Sequence, residues 1–220
     1  MAASPGPDSG VHRPWRGVAA EERQARRRAQ LLDACFAIMG TQGVAAVTMR
    51  GVCREAKLTE RYFYESFRSR EELLTAVLET VARQARDVLV EALEQSSSDS
   101  PGLVRRAVAA FTEFVTADPR RGRVLFVESL AAPELASRGT ELVEEFTATI
   151  ALALRSPALA GEDADERDVE LNARAVFGAL AWLYQGWLNQ RVPVDRDRFV
   201  RHAVSVIEQI AQAGSRPDQA

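Results

Sequence analysis

A chain of 220 residues, 46% hydrophobic and 27% charged, has the make-up of a folded protein with room for one large or two small cores, and its net charge of −3 excludes a uniformly basic surface. The average hides an asymmetry, because residues 11–70 hold 12 Lys/Arg against 6 Asp/Glu while residues 71–220 hold 16 against 24. No apolar run approaches the ~20 residues a membrane span needs, and the first ten residues lack the apolar stretch of a signal peptide, so a cytoplasmic protein with no membrane partner is expected.

Residues 1–20 are rich in Pro, Gly and Ser and are expected to be a disordered tail, with a minor-groove arm of His12, Arg13, Trp15 and Arg16 as the lesser alternative. From Glu21 to about Gln42 the residues favour a helix, with Arg23, Arg26, Arg27 and Arg28 early and an apolar stripe later. Thr48 then caps a short helix whose inward residues are Val52 and Cys53 and which ends near Ala56-Lys57. Thr59 caps a second short helix with Phe63 and Phe67 on its buried side. A three-residue break between two such helices is the spacing of a helix-turn-helix, which lays its second helix in the DNA major groove. Arg61, Tyr62 and Tyr64 project from a helix too short to bury them all. Ser69-x-x-Glu72 is a capping box that starts a new helix. Arg70 lies in its first turn, where the N-terminal dipole gives a cation no help, so an external anion such as a DNA phosphate is expected to complete its site.

That helix runs to about Gln95, and Ser96–Ser100 reads as a loop. Ser100-Pro101 restarts a helix with Pro at its first position, carrying Val104, Val108, Phe111 and Val115 on one stripe and Phe114 beside it. Asp118-Pro119 repeats the signal ahead of residues 124–130, which are apolar almost all round and expected to be buried. Glu128 stands out there, since a buried carboxylate needs an Arg, a hydroxyl or a cationic ligand; an internal Arg is the simpler expectation. After Pro133 comes a helix with Leu142, Phe146 and Ile150, ending near Leu154, and residues 156–166 form a polar connection. Residues 167–190 form a strongly apolar helix in which Ala175, Gly178, Ala179 and Gly186 would admit a second helix closely. Pro193 breaks it, and Asp195 or Asp197 caps a last helix with Phe199, Val200, Ala203, Val204, Ile207 and Ile210. Every periodic segment has the 3.6 period, so the expected fold is all-α, of about nine helices. Its expected domains are a three-helix helix-turn-helix unit at 21–68, a larger helical ligand-binding and dimerisation unit at 69–213, and a disordered tail at 214–220.

The helix-turn-helix resembles the DNA-binding domain of tetracycline-repressor (TetR) family regulators. Gly43, Thr48, Val52, Ala56, Leu58, Thr59, Tyr64, Phe67, Arg70, Glu71 and Leu73 fall at that family's register, and Leu31, Leu32, Ala34, Phe36 and Met39 fit the helix before it. The match covers residues 26–75 without a gap. Two departures stand out. Lys57 occupies the turn where Gly is usual, implying a different turn geometry or a strained φ. Arg70 replaces the usual Lys, which keeps the charge but changes the phosphate geometry.

The exposed start of the second short helix offers Thr59, Glu60, Arg61 and Tyr62. Arg61 has the donors for guanine O6 and N7, Glu60 can accept from cytosine N4 or else orient Arg61, and Tyr62 can touch a thymine methyl. The resemblance implies phosphate contacts from Thr48, Tyr64 and Arg70, and Arg50 is expected at the DNA backbone. It also implies a homodimer on a palindromic operator, paired through its last two helices, and a small-molecule effector held in the body. Interface residues are expected at Ala175, Gly178, Ala179, Trp182, Gly186, Val200, Val204 and Ile207. Candidate cavity residues are Phe111, Phe114, Phe126, Glu128, Phe146, Trp182 and Trp187. The expected activity is that of a ligand-released regulator, a repressor by family habit. Its rival is a helical interaction module that has lost DNA binding. No cofactor, metal site or catalysis is expected. His12 and His202 are the only histidines, and no metal-ligand spacing, phosphate loop or activated nucleophile is present. Cys35 and Cys53 sit at apolar positions and read as buried small hydrophobes rather than a disulfide.

Overall fold

The computed structural model of the chain describes residues 16–95, 102–156, 159 and 165–213. The expected tails at 1–15 and 214–220, most of the minor-groove arm, the Ser96–Ser100 loop with Pro101, and residues 157, 158 and 160–164 of the polar connection lie outside the described residues. All described elements are helical, as expected. α1 (Arg16–Gln42), α2 (Met49–Glu55) and α3 (Glu60–Ser66) form the head; α4 (Arg70–Glu94) leads into the body. There follow α5 (Leu103–Ala117), α6 (Pro119–Arg123), a π-helical turn (Val124–Glu128), α7 (Ser129–Ala131), α8 (Ala136–Leu154), α9 (Glu166–Leu188) and α10 (Arg196–Ala211). Residues 119–131 are one unbroken rod, so the described elements amount to nine rods besides two short 3-10 turns, at Val44–Ala46 and Pro133–Leu135.

Several boundaries follow directly from side-chain chemistry. The Thr48 hydroxyl accepts from Gly51 N at 3.0 Å and starts α2. The Ser69 hydroxyl accepts from Glu72 N at 3.2 Å and starts α4, and the Glu72 carboxylate reaches back to Arg68 N, one residue before the cap. Asp118 accepts from Arg120 N at the start of α6, and of the two candidate caps of α10 it is Asp195 that serves, accepting from Arg198 N. Two boundaries differ from expectation. α1 begins at Arg16 rather than Glu21, so residues 16–20 belong to a helix and not to the tail. α5 begins at Leu103 behind Gly102, which holds φ at 99° as its N-cap.

One apolar core runs through head and body. Leu31, Cys35 and Met39 of α1 meet Val52 of α2, Phe63 of α3 and Leu73, Leu74 and Val77 of α4, all almost fully buried. Burial pushes the Cys35 thiol up to about 12 and also raises that of Cys53; both are free and inert as nucleophiles. In the body, α5 packs on α4 and α10, and α9 on α8 and α10. Tyr184 of α9 sits at the centre, its ring within 5.2 Å of Phe111, Phe126 and Phe199. Its hydroxyl bonds the Thr112 hydroxyl at 2.7 Å, and Thr112 in turn donates to Val108 O. The phenol is thereby satisfied where water does not reach, and burial raises its pKa.

Candidate nucleic-acid interface and ligand cavity

The turn between α2 and α3 closes as a Schellman motif: Leu58 N donates to Cys53 O at 2.9 Å and Lys57 N to Arg54 O at 3.2 Å. Such a turn needs a left-handed residue, and Lys57 supplies it at φ 54°. The departure from glycine therefore leaves the turn intact and places strain on one lysine. Thr59 stands at the N-cap of α3, but its side chain makes no cap bond, contrary to expectation. α3 is braced from behind by α1: the Arg27 guanidinium lies 4.4 Å over the Tyr62 ring and 3.6 Å from Glu65, and Gln24 donates to Glu65 O. Arg28 covers the Phe67 ring in the same way. Tyr62 is therefore half-buried beneath Arg27, whereas Tyr64 is exposed.

The outer face of the pair carries Thr48, Arg50, Thr59, Glu60, Arg61 and Tyr64. Glu60 does not orient Arg61; it pairs with Arg50 at 3.1 Å, while Arg61 pairs with Glu65 at 3.0 Å. Arg50 and Arg61 remain 86% and 83% exposed, so these pairs are screened and cheap to exchange for a phosphate or a base edge. Arg70 requires a correction. Its guanidinium turns inward, donating to Val47 O and Val44 O at 2.7 Å each, with Glu134 at 2.9 Å as its anion. The expected external anion is supplied from within the chain, and Arg70 ties head to body rather than facing a phosphate. Glu134 is held below the usual carboxylate range chiefly by that bond.

Within the body lie two adjoining cavities of about 130 and 90 Å³ between α4, α5, the π turn, α8 and α9. Phe111, Phe126, Phe146, Phe177 and Ala181 line both. The remaining walls are almost all carbon, and the Thr149 hydroxyl beside them is satisfied by Glu145 O. Among the described residues no group of His, Cys, Asp or Glu is placed to hold a metal ion, and no helix is long and apolar enough to cross a membrane.

Residues 31–77 match the family model described as bacterial regulatory proteins, tetR family. The chain is also 30% identical over 202 residues to the HTH-type transcriptional activator FasR of Mycolicibacterium smegmatis, covering 89% of this chain and 88% of that protein. The chain belongs to the TetR family. It is a DNA-binding regulator of transcription by that membership. Solved structures agree in fold. FadR of Bacillus subtilis, in complex with stearoyl-CoA, superimposes with a TM-score of 0.67 at 17% identity, over 83% of this chain and 97% of that one. A TetR-like regulator from Rhodococcus sp. RHA1 gives 0.62 at 21% identity, over 87% and 96%.

Other expectations about this TetR-family body need correction. Phe111, Phe126 and Phe146 line the cavities, but Phe114, Glu128, Trp182 and Trp187 do not. Phe114 is covered by Arg121 and packs on Phe111 from outside. Trp187 stacks on Phe199 at 4.2 Å and donates to Val194 O. Trp182 faces outward, 72% exposed. Glu128 accepts from Arg123 Nε at 2.9 Å and from Val44 N at 2.8 Å, so its partners are an Arg and the head's own backbone. Val200, Val204 and Ile207, expected at a partner interface, are buried against the chain's own α5 and α9 side. The outward stripe belongs to α9 alone, where Leu171, Ala175, Gly178 and Trp182 are all exposed; nothing lies within 4 Å of where a Gly178 Cβ would be. Exposed Leu152 of α8 adds to the apolar surface left open. Sequence reasoning missed Tyr184 and Phe177 as cavity residues, although both recur at helical spacing with Leu180.

Proposed function

We propose that this protein is a homodimeric, ligand-responsive regulator that binds a palindromic operator through α3 and is released by an amphiphile whose long apolar chain lies in the body. The observation that carries the ligand class is the carbon-lined double cavity around Tyr184; among its described lining residues the hydroxyls of Tyr184, Thr149 and Ser129 are each satisfied internally. Such walls offer a polar head group nothing to bond, so the chain enters and the head stays outside. The acyl-CoA in the FadR complex has that character.

The dimer forms through the stripe Leu171, Ala175, Gly178 and Trp182, with Ala179 and Gly186 at its margin and Leu152 of α8 alongside. These residues give a self-complementary face in which the small residues receive the partner's Trp182. Two heads are needed because one seven-residue α3 reads few bases, and a dimer places them one helical turn apart (roughly 34–36 Å). Arg61 and Thr59 are the base readers, Tyr64, Thr48 and Arg50 the backbone contacts, with Glu60 tuning Arg50 and Tyr62 holding α3 to α1. Repression is the expected sign; activation is the second reading, favoured by the description of FasR as an activator.

Selection of duplexes from a random library at physiological salt, followed by titration of the bound complex with stearoyl-CoA, tests the proposal. An inverted repeat released by the acyl-CoA supports it. Enrichment of no sequence points instead to the helical interaction module. A reporter carrying the selected site then gives the sign of regulation.

A further inference from the structure

Arg50 and Arg61, on the outer face of the helix pair, each donate through Nε to a carboxylate, yet the two pairs differ in what lies behind them. Glu60, the partner of Arg50, pairs with no other described side chain. Glu65, the partner of Arg61, is anchored from its far side by α1. Its second oxygen lies 3.6 Å from the Arg27 guanidinium, which is itself fixed over the Tyr62 ring, and its backbone carbonyl accepts from the Gln24 amide at 3.3 Å. Exposure falls along this chain of three, from Arg61 at 83% through Glu65 at 34% to Arg27 at 24%. The orienting role expected of Glu60 thus falls to Glu65, one turn beyond Arg61 on the same face of α3.

The geometry decides which donors Arg61 has left. Its Nε–H is committed to Glu65 at 3.0 Å, and among the described residues neither of its terminal amino groups has a partner. Two terminal N–H groups presented side by side match the O6 and N7 acceptors of guanine in the major groove. Adenine, thymine and cytosine offer no two adjacent acceptors there. A freely rotating arginine must give up its rotamer freedom to make that pair, and a fixed Nε removes part of the loss beforehand. Charge favours the same arrangement. A carboxylate alone would be repelled by the DNA phosphates, but Arg27, Glu65 and Arg61 together carry two positive charges and one negative. In water the Arg61–Glu65 contact is screened, whereas in a groove from which water is displaced it strengthens.

We propose that Glu65 is a positioning residue for base readout. Held by Arg27, it fixes Arg61 so that the terminal amino groups meet one guanine in each operator half-site. Arg50, whose partner has no such brace, is left to the DNA backbone. The inference rests on the reading of α3 as the recognition helix with Arg61 as a base reader, and adds to it the base and the residue that aims the reader.

The test uses the full chain and the duplex that the wild type selects from a random library. Each guanine of the half-site is replaced in turn, and affinities are measured at physiological salt for the wild type, Arg61→Ala, Glu65→Ala and Glu65→Gln. Thermal unfolding establishes that each variant folds. The wild type is expected to prefer guanine at one position per half-site by about 5–150-fold, and R61A to lose that preference. E65A is expected to cut the same preference by about 2–12-fold, because the ordering cost falls only on the duplex in which the pair forms. Preferences at other positions stay as in the wild type. E65Q, with one acceptor oxygen in place of two, is expected to fall between. A structural role alone would weaken binding to every duplex alike, and that result overturns the inference. So does a folded E65A or E65Q that keeps the full wild-type preference while R61A loses it, an outcome that leaves Arg61 as a base reader. If R61A keeps every preference, or the wild type enriches no sequence, the base-reader assignment falls and the inference with it.

Discussion

Replacing Arg70 by Ala separates two roles that a basic residue beside a helix-turn-helix can play. In the structure the guanidinium makes two 2.7 Å bonds, to the carbonyls of Val44 and Val47, and is only 25% exposed. Hydrogen bonds to a charged group contribute about 1.5–3 kcal/mol each, and partial exposure discounts them, so R70A should destabilise the protein by about 2–4 kcal/mol. The solvent-exposed Glu134 pair is left out of that sum. For a chain of this length each kcal/mol lowers Tm by about 2–4 °C, giving a fall of roughly 5–15 °C. Lys at this position cannot bridge two carbonyls and a carboxylate at once, so R70K should recover less than half of the loss. The assay is thermal and denaturant unfolding, combined with operator affinity over a range of salt. A phosphate contact would behave in the opposite way. Stability would hold, affinity would fall, and the slope of log K against log salt would drop by about 0.9. That pattern would refute the inward assignment.

Three further substitutions test other parts of the molecule. K57G should leave stability within about 1 kcal/mol of the parent, while K57V, branched at a left-handed φ, should lose about 1–2 kcal/mol by denaturant midpoint; equal stabilities would mean the turn is not left-handed. W182D puts a charge on the outward stripe of α9 and should convert the proposed dimer to monomer in sedimentation, with helicity intact and operator binding lost; a dimeric W182D would place the interface elsewhere. Asp118 is held below its usual value of 3.8 chiefly by its bond to Arg120, so its contribution is fully present above that value and lost as pH falls through its lower folded pKa. D118N keeps the cap, and should cost about 1 kcal/mol at pH 7 with a deficit that closes below about pH 3.8; a deficit independent of pH would show that charge is not its origin.

The sequence specifies local features well because local features are encoded locally. Thr48, Ser69 and Asp195 each bond a backbone N–H three residues away, and the apolar spacing around Phe63 and Phe67 leaves one way to fold α3. Long-range partnerships are another matter. Glu128 and Val44 are 84 residues apart, and Arg70 and Glu134 64 apart, so nothing near either residue announces its partner. Periodicity likewise tells which residues share a face but not what the face meets. The stripes of α9 and α10 look equally suited to a second copy, yet α10 packs inward and α9 is left with Trp182 uncovered. The π turn was hidden for a different reason: residues 124–128 have the composition of any buried helix, and one extra residue in a turn leaves no compositional mark.

The lysine in the helix-turn-helix turn is the chain's only one. A protease that cuts solely after lysine therefore has a single bond to attack, between Lys57 and Leu58, exposed between the two helices that would straddle the DNA. One cut yields one pair of fragments, split at residue 57. The rate of cleavage thus reports how often that turn opens, and its slowing on addition of operator reports occupancy of the head, with no label added to the protein.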